Sequence, residues 1–152
     1  MSHSKEMLDA IMRAIELEKE TFDFYVKAEH KTFNPAGKRI FKWLAKTEEA
    51  HYLKLTELYT SLHESGRWVF YGGSTFDLAP AADDEHRVTL DTDDIEALRI
   101  AQGIERRGMA CYEGLIATAV DADGKAMLEA LRSDEVEHLR VIDEKLRELE
   151  AA

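Results

Sequence analysis

The chain has 152 residues, 45% of them hydrophobic and 34% charged, with a formal net charge of −11. That charge argues against nucleic acid as a partner. No apolar run reaches about 18 residues, so no membrane span is expected, and the single cysteine, Cys111, excludes an internal disulfide and a four-cysteine metal site. One domain large enough for a sizeable core is the simplest reading of the length, as residues 1–152. The N-terminal Met-Ser-His-Ser-Lys leads straight into an amphipathic pattern with no apolar signal segment, so a cytoplasmic location is expected.

Four helices follow in chain order, each carrying an apolar stripe at 3–4 spacing. The first stripe reads Leu8, Ile11, Ile15, Glu18, Phe22, Tyr25, and the second Phe41, Leu44, Glu48, His51, Leu55, Leu58, Leu62. Between them, Asn34-Pro35 reads as a helix cap followed by proline in the first turn. Residues 66–91 then carry glycines, Pro80 and the aromatic cluster Trp68, Phe70, Tyr71 and Phe76. This reads as a long crossover covering helix faces, with a dimer contact as the alternative. Asp93, with Glu96 three residues on, resembles a capping box before the third stripe of Ile95, Leu98, Gln102, Glu105, Met109, Tyr112, Ile116. Asp121 caps the fourth, which reads Leu128, Leu131, Glu135, His138, Ile142, Lys145, Leu149. Short turns make each successive pair an antiparallel hairpin, and the crossover makes the second and third helices parallel.

The two hairpins are copies. Glu18, Tyr25, Glu48 and His51 recur as Glu105, Tyr112, Glu135 and His138, each 87 positions on, and Asn34, Gly37 and Lys38 recur as Asp121, Gly124 and Lys125. This is an internal duplication of a helix–turn–helix unit, with repeat one at about 4–65 and repeat two at about 92–150. At 1.5 Å per residue, Glu18 lies about 26 Å back from the first turn, and Glu48 and His51 lie about 19–23 Å beyond it, so the three meet at one height. The expected fold is all-α, a four-helix bundle of two such repeats.

Four carboxylates and two imidazoles therefore occupy buried stripes where a plain bundle would use leucine. Carboxylates so close repel each other and are costly to desolvate. Two divalent cations would bring the site close to neutrality. Glu and His at i and i+3 share a helix face and can bind one ion together. Oxygen-rich ligation with one imidazole per ion suits two iron ions, with manganese or a mixed pair as alternatives. Glu48 and Glu135 would bridge, Glu18 and Glu105 would be terminal ligands, and Tyr25 and Tyr112 would hydrogen-bond to ligating carboxylates. Glu16, Glu20, Glu49 and Glu137 read as solvated, and His3, His30, His63 and His86 as exposed. Gly103, Gly108 and Gly114 are unusual inside a helix and read as points of close packing, or of local distortion beside the metals.

The pattern Ala-Ile-Glu-Leu-Glu-Lys-Glu with Phe-Tyr, then Glu-Glu-Ala-His, a long crossover, and a second Glu, Tyr and Glu-Val-Glu-His resembles the rubrerythrin family within the ferritin-like superfamily. The resemblance implies a non-haem di-iron centre at Glu18, Glu48, His51, Glu105, Glu135 and His138. It also implies reduction of hydrogen peroxide or dioxygen, and a homodimer. Rubrerythrins carry a rubredoxin domain with four iron-binding cysteines. With Cys111 alone, this sequence implies an external electron donor. Rubrerythrins also place an additional Glu, linked to a redox-dependent iron shift, where this chain has Gly108, and the remaining symmetric set equally suits a ferroxidase or iron-handling centre. A metal-free helical interaction module is the reading from another class.

Overall fold

The computed structural model describes residues 5–78 and 92–151. They form four helices: α1 (Lys5–Lys31), α2 (Pro35–Ser65), α3 (Thr92–Thr118) and α4 (Ala122–Ala151). The fold is the expected ferritin-like four-helix bundle. No helix among the described residues is long and apolar enough to cross a membrane.

The repeat is visible first in the caps. Asn34 has extended backbone, and its side-chain oxygen accepts the N–H groups of Ala36 (2.8 Å) and Gly37 (3.3 Å), with Pro35 in the first turn of α2. Asp121 accepts from Asp123 (2.8 Å) and Gly124 (3.1 Å) at the start of α4. Each cap satisfies amides that have no partner inside the helix. Gly66 ends α2 in the left-handed conformation, φ 70°, and returns its N–H to the Leu62 carbonyl. The side chain of Asp93, and with it the expected capping box, lies outside the described residues.

Two hydrogen bonds fix the topology. Tyr25, late in α1, reaches Glu105 in α3, while Tyr112, later in α3, reaches back to Glu18 in α1. Helices α1 and α3 are therefore antiparallel. Because α1 and α2 form an antiparallel hairpin, α2 and α3 run parallel, as a long crossover requires.

The core has three levels. Tyr25, Phe41, Leu44, Leu98, Ile104 and Ile142 anchor one apolar cluster, towards the α1–α2 turn. Ile11, Leu55, Leu58, Leu62, Leu128 and Leu131 anchor the other. Glu18, Glu48, His51, Glu105, Glu135 and His138 are buried between them. The expected stripe holds on α2, but on α1 Leu8 and Phe22 are only half-buried while Ala14, Thr21 and Ala28 are buried. Along α3 the buried face is rotated in the same way. Ala101, Ile104 and Leu115 are buried, whereas Gln102, Met109 and Ile116 are only half-buried. On α4, Leu146 is buried, and Lys145 and Leu149 are half-buried.

The crossover climbs the seam between α2 and α4. The Arg67 carbonyl accepts the Ser61 hydroxyl at 2.7 Å. Trp68 then lies over the start of α4, where a Cβ on Gly124 would come within 2.5 Å of its indole. Tyr71 and Ser74 reach Asp134 midway up α4. The Phe76 carbonyl accepts the Trp43 indole N–H at 3.0 Å, and Leu78 packs on the upper cluster. Residues 66–78 thus cover helix faces, while Phe70 stays 84% exposed. The rest of the expected crossover, residues 79–91, lies outside the described residues.

Candidate metal centre

The six expected ligands converge in one buried layer. Ligand atoms of Glu18, Glu48, His51 and Glu135 lie within 4.8 Å of one another, as do those of Glu48, Glu105, Glu135 and His138. Glu48 and Glu135 belong to both groups and stand where bridging ligands would stand. Glu18 with His51, and Glu105 with His138, belong to one group each. The repeat thus yields two overlapping Glu3His sets related by the 87-residue register.

Both histidines turn Nδ1 towards the carboxylates. His51 Nδ1 lies 3.0 Å from Glu135 Oε1 and 3.5 Å from Glu18 Oε1. His138 Nδ1 lies 3.1 Å from Glu48 Oε1 and 3.2 Å from Glu105 Oε1. The tyrosines work across the repeats. Tyr112 donates to Glu18 Oε1 at 2.5 Å, and Tyr25 donates to Glu105 Oε1 at 2.6 Å. Each tyrosine therefore holds one oxygen of the other repeat's carboxylate and leaves Oε2 available.

Glu18 Oε2, Glu48 Oε1, Glu105 Oε2 and Glu135 Oε1 are buried without a hydrogen-bond partner. Orphaned buried acceptors of this kind are costly. Four of them, aimed at one volume from four helices, are the donor set that hard cations take. The residues present fit a pair of divalent metal ions.

Protons are the other way to relieve the charge. Burial, and then the charges of Glu135, Glu18 and Glu105, push the Glu48 carboxyl well up. Burial, and then Glu105 and Glu18, do the same to Glu135. At Glu18, burial also favours the neutral form, but a proton shared from Glu48, the His51 charge and the Tyr112 hydroxyl outweigh it and hold the pKa down. At Glu105, burial is likewise outweighed, by His138, Glu135 and Tyr25. Burial opposes the charge on His51, but Glu18, Asp134 and Glu135 overcome it and raise its pKa well up. Burial and mutual repulsion thus favour the protonated form at Glu48 and Glu135, and their neighbours favour the anion at Glu18 and Glu105.

Sequence reasoning missed a set of residues around the histidines. Asp134 Oδ2 accepts His51 Nε2–H at 2.8 Å and the Tyr71 hydroxyl at 2.5 Å, and its Oδ1 accepts the Ser74 N–H at 3.0 Å. Gly73, with φ 104°, turns the crossover into this contact, a conformation that L side chains rarely adopt. On the other side, the Trp43 ring meets His138 edge-on, 4.7 Å between centroids. The duplication hid Asp134, because its register counterpart is Thr47 and not a carboxylate. Its adjacency to Glu135 was the available signal.

Gly108 is buried, and a Cβ there would lie 3.3 Å from Glu135 Oε2, so this glycine leaves the carboxylate its room. At Gly103 and Gly114 a Cβ would meet nothing within 4 Å, so close packing does not explain these two. His30 and His63 are exposed, as are Glu16, Glu20, Glu49 and Glu137. His3 and His86 lie outside the described residues. Cys111 is half-buried, and burial pushes its thiol up, away from a reactive thiolate.

Fold and buried layer together define a ferritin-like bundle with a paired Glu/His site that could hold two metal ions. More particularly, residues 2–59 match the family model of Rubrerythrin, a span that includes Glu18, Glu48 and His51. No curated protein matches the sequence. Among solved structures, the chain is similar to a provisionally assigned ferritin-like diiron-carboxylate protein from Thermotoga maritima. That likeness has 26% identity and a TM-score of 0.71, over 97% of this chain and 98% of that one. It also shares its fold with part of a protein from Anabaena variabilis containing DJ-1/ThiJ/PfpI-like and ferritin-like domains, at 18% identity and a TM-score of 0.73. That alignment covers 99% of this chain but spans only 39% of the two-domain protein.

Proposed function

We propose that this chain holds two iron ions, with manganese or a mixed pair as the alternative metal, and reduces hydrogen peroxide or dioxygen with electrons from an external donor. The observation that carries this reading is the buried layer of four carboxylates and two imidazoles, in two overlapping groups that share Glu48 and Glu135. When bound, a pair of redox metals supplies the electrons that peroxide reduction takes.

The chain's own residues provide the rest. Glu48 and Glu135 would contribute to both positions, and His51 and His138 would complete one each. Tyr25 and Tyr112 orient the terminal Glu105 and Glu18, and keep protons at hand beside the centre. The two apolar clusters above and below exclude bulk water. A second copy of the chain and a cytoplasmic setting complete the proposal.

Metal analysis combined with an anaerobic peroxide titration tests it. The protein should take up close to two ions per chain, and the di-ferrous form should be oxidised by peroxide but turn over only with added reductant. Failure to take up metal under reducing conditions would leave the metal-free interaction module standing. Sustained turnover without reductant would point to catalase-like chemistry with manganese.

The alternative of iron handling has its own observation. At Gly108, where the resemblance puts a further Glu, the space is filled by the Glu135 carboxylate. The symmetric set of six that remains suits ferrous iron as the substrate, oxidised and passed on. Stoichiometric single-turnover oxidation with iron release, and no catalytic peroxide loss when reductant is supplied, would establish this alternative.

A further inference from the structure

The register that makes the two halves alike also exposes where they differ. It pairs His51 with His138 and Asp134 with Thr47. His51 Nε2–H is held by Asp134 at 2.8 Å, and Asp134 is clamped in turn by Tyr71 and by the backbone of Ser74. His138 Nε2 is buried and has no hydrogen-bond partner. Thr47 turns its hydroxyl onto the Trp43 carbonyl of its own helix, at 3.3 Å. Thr47 and His138 both line a cavity of about 350 Å³ that Trp43 and Val141 help to enclose.

We infer that the two metal positions are inequivalent by construction: the position of Glu18, Glu48, His51 and Glu135 fills first, and that of Glu48, Glu105, Glu135 and His138 second, with Asp134 as the positioning residue. The inference rests on the metal reading above. Asp134 accepts the proton on Nε2, so Nδ1 is the nitrogen that faces the carboxylates and binds once its own proton leaves. It also fixes the plane of the ring. An ion arriving there meets a ring already in the right orientation. His138 has no such anchor at Nε2, and its ring is held only by the edge of Trp43 and by the Nδ1 contacts with Glu48 and Glu105. A carboxylate behind a ligating histidine is worth about 10–100-fold in metal affinity. The anchor comes from the crossover, since Tyr71 and Ser74 both belong to it. The crossover thus anchors the histidine of the first position, whereas at the second it lines the cavity beside His138 without supplying a hydrogen bond to Nε2.

The test is a titration of metal-free protein with manganese(II), followed by electron paramagnetic resonance. Up to one equivalent, the isolated-ion signal should grow with almost no coupled-pair signal, and the pair should appear only beyond that point. The two binding steps should differ at least ten-fold. Anomalous scattering from crystals loaded below one equivalent should place the ion at His51. Asp134→Ala should weaken the first step about 10–100-fold and merge the two. Thr47→Asp should narrow the gap from the other side, by strengthening the second step. Circular dichroism checks that each variant folds, and Asp134→Ala decides alone if Thr47→Asp does not. Two ions bound with statistical pairing in the wild type, or equal weakening of both steps in Asp134→Ala, would overturn the inference while leaving the di-metal reading intact. Uptake of fewer than two ions would overturn that reading itself, and this inference with it.

Discussion

At the residue scale, the crossed tyrosines carry the most information. Each reaches a carboxylate of the other repeat, so the pair ties the hairpins together at the level of the centre. A hydrogen bond to a charged group contributes about 1.5–3 kcal/mol. Tyr25→Phe and Tyr112→Phe should each destabilise the metal-free protein by about that amount in urea unfolding, with similar penalties because the two contacts match. A large difference between them would contradict the matched geometry. The glycines of α3 offer a sharper contrast. Gly103→Ala and Gly114→Ala meet open space and should stabilise the protein by up to about 1 kcal/mol each, with metal uptake unchanged. Gly108→Ala gains the same helix propensity but presses on Glu135, so it should lower metal affinity. Thermal melts and metal titrations on the same three variants separate the two effects.

At the element scale, the caps and the crossover define what each hairpin can do. Asn34→Ala and Asp121→Ala remove equivalent caps and should each cost about 1 kcal/mol in thermal or urea unfolding. Both caps were legible in the sequence, because an Asn or Asp ahead of a helical stripe has one efficient use. The buried stripe of α2 was legible for a similar reason, since 3–4 spacing of apolar side chains leaves little choice of face. The slight rotation along α1 and α3 was not. It depends on how the helices pack against one another, and Ala101, Ile104 and Leu115 satisfy the periodicity as well as Gln102, Met109 and Ile116 do. The contribution of the crossover was illegible too. Tyr71 among four neighbouring aromatics carries no mark that it will hold Asp134.

At the scale of the whole molecule, the layer between the two apolar clusters sets the response to pH and metal. Glu48 and Glu135 have folded pKa values raised well above the ordinary 4.5. Their contribution to stability is present below the unfolded glutamate value and is lost as pH rises through the folded one, because the folded state binds more protons in that window. The raised pKa of His51 acts in the same direction, above its ordinary 6.5. Metal-free protein should therefore lose stability as pH rises from about 4.5 into the neutral range, as read from melting temperature against pH. Metal binding displaces those protons, so affinity should rise with pH over the same range, with measurable proton release. The loaded protein should melt higher than the metal-free form, since an ion bound only by the folded state stabilises it. Equal melting of the two forms at neutral pH would count against a shared carboxylate cluster.

The sequence by itself determined the helices, their pairing into hairpins and the six convergent side chains. Each of these follows from local spacing repeated at one fixed offset, and an in-register repeat of glutamates and histidines on buried stripes has few physical solutions. Only the tertiary structure decided which tyrosine serves which carboxylate, that Gly108 makes room for Glu135, and that Asp134 anchors one histidine while its counterpart Thr47 leaves the other unanchored. These contacts join residues that lie far apart in the chain, across helices and the crossover. Their distances and directions arise from packing, which no periodicity within a single helix encodes.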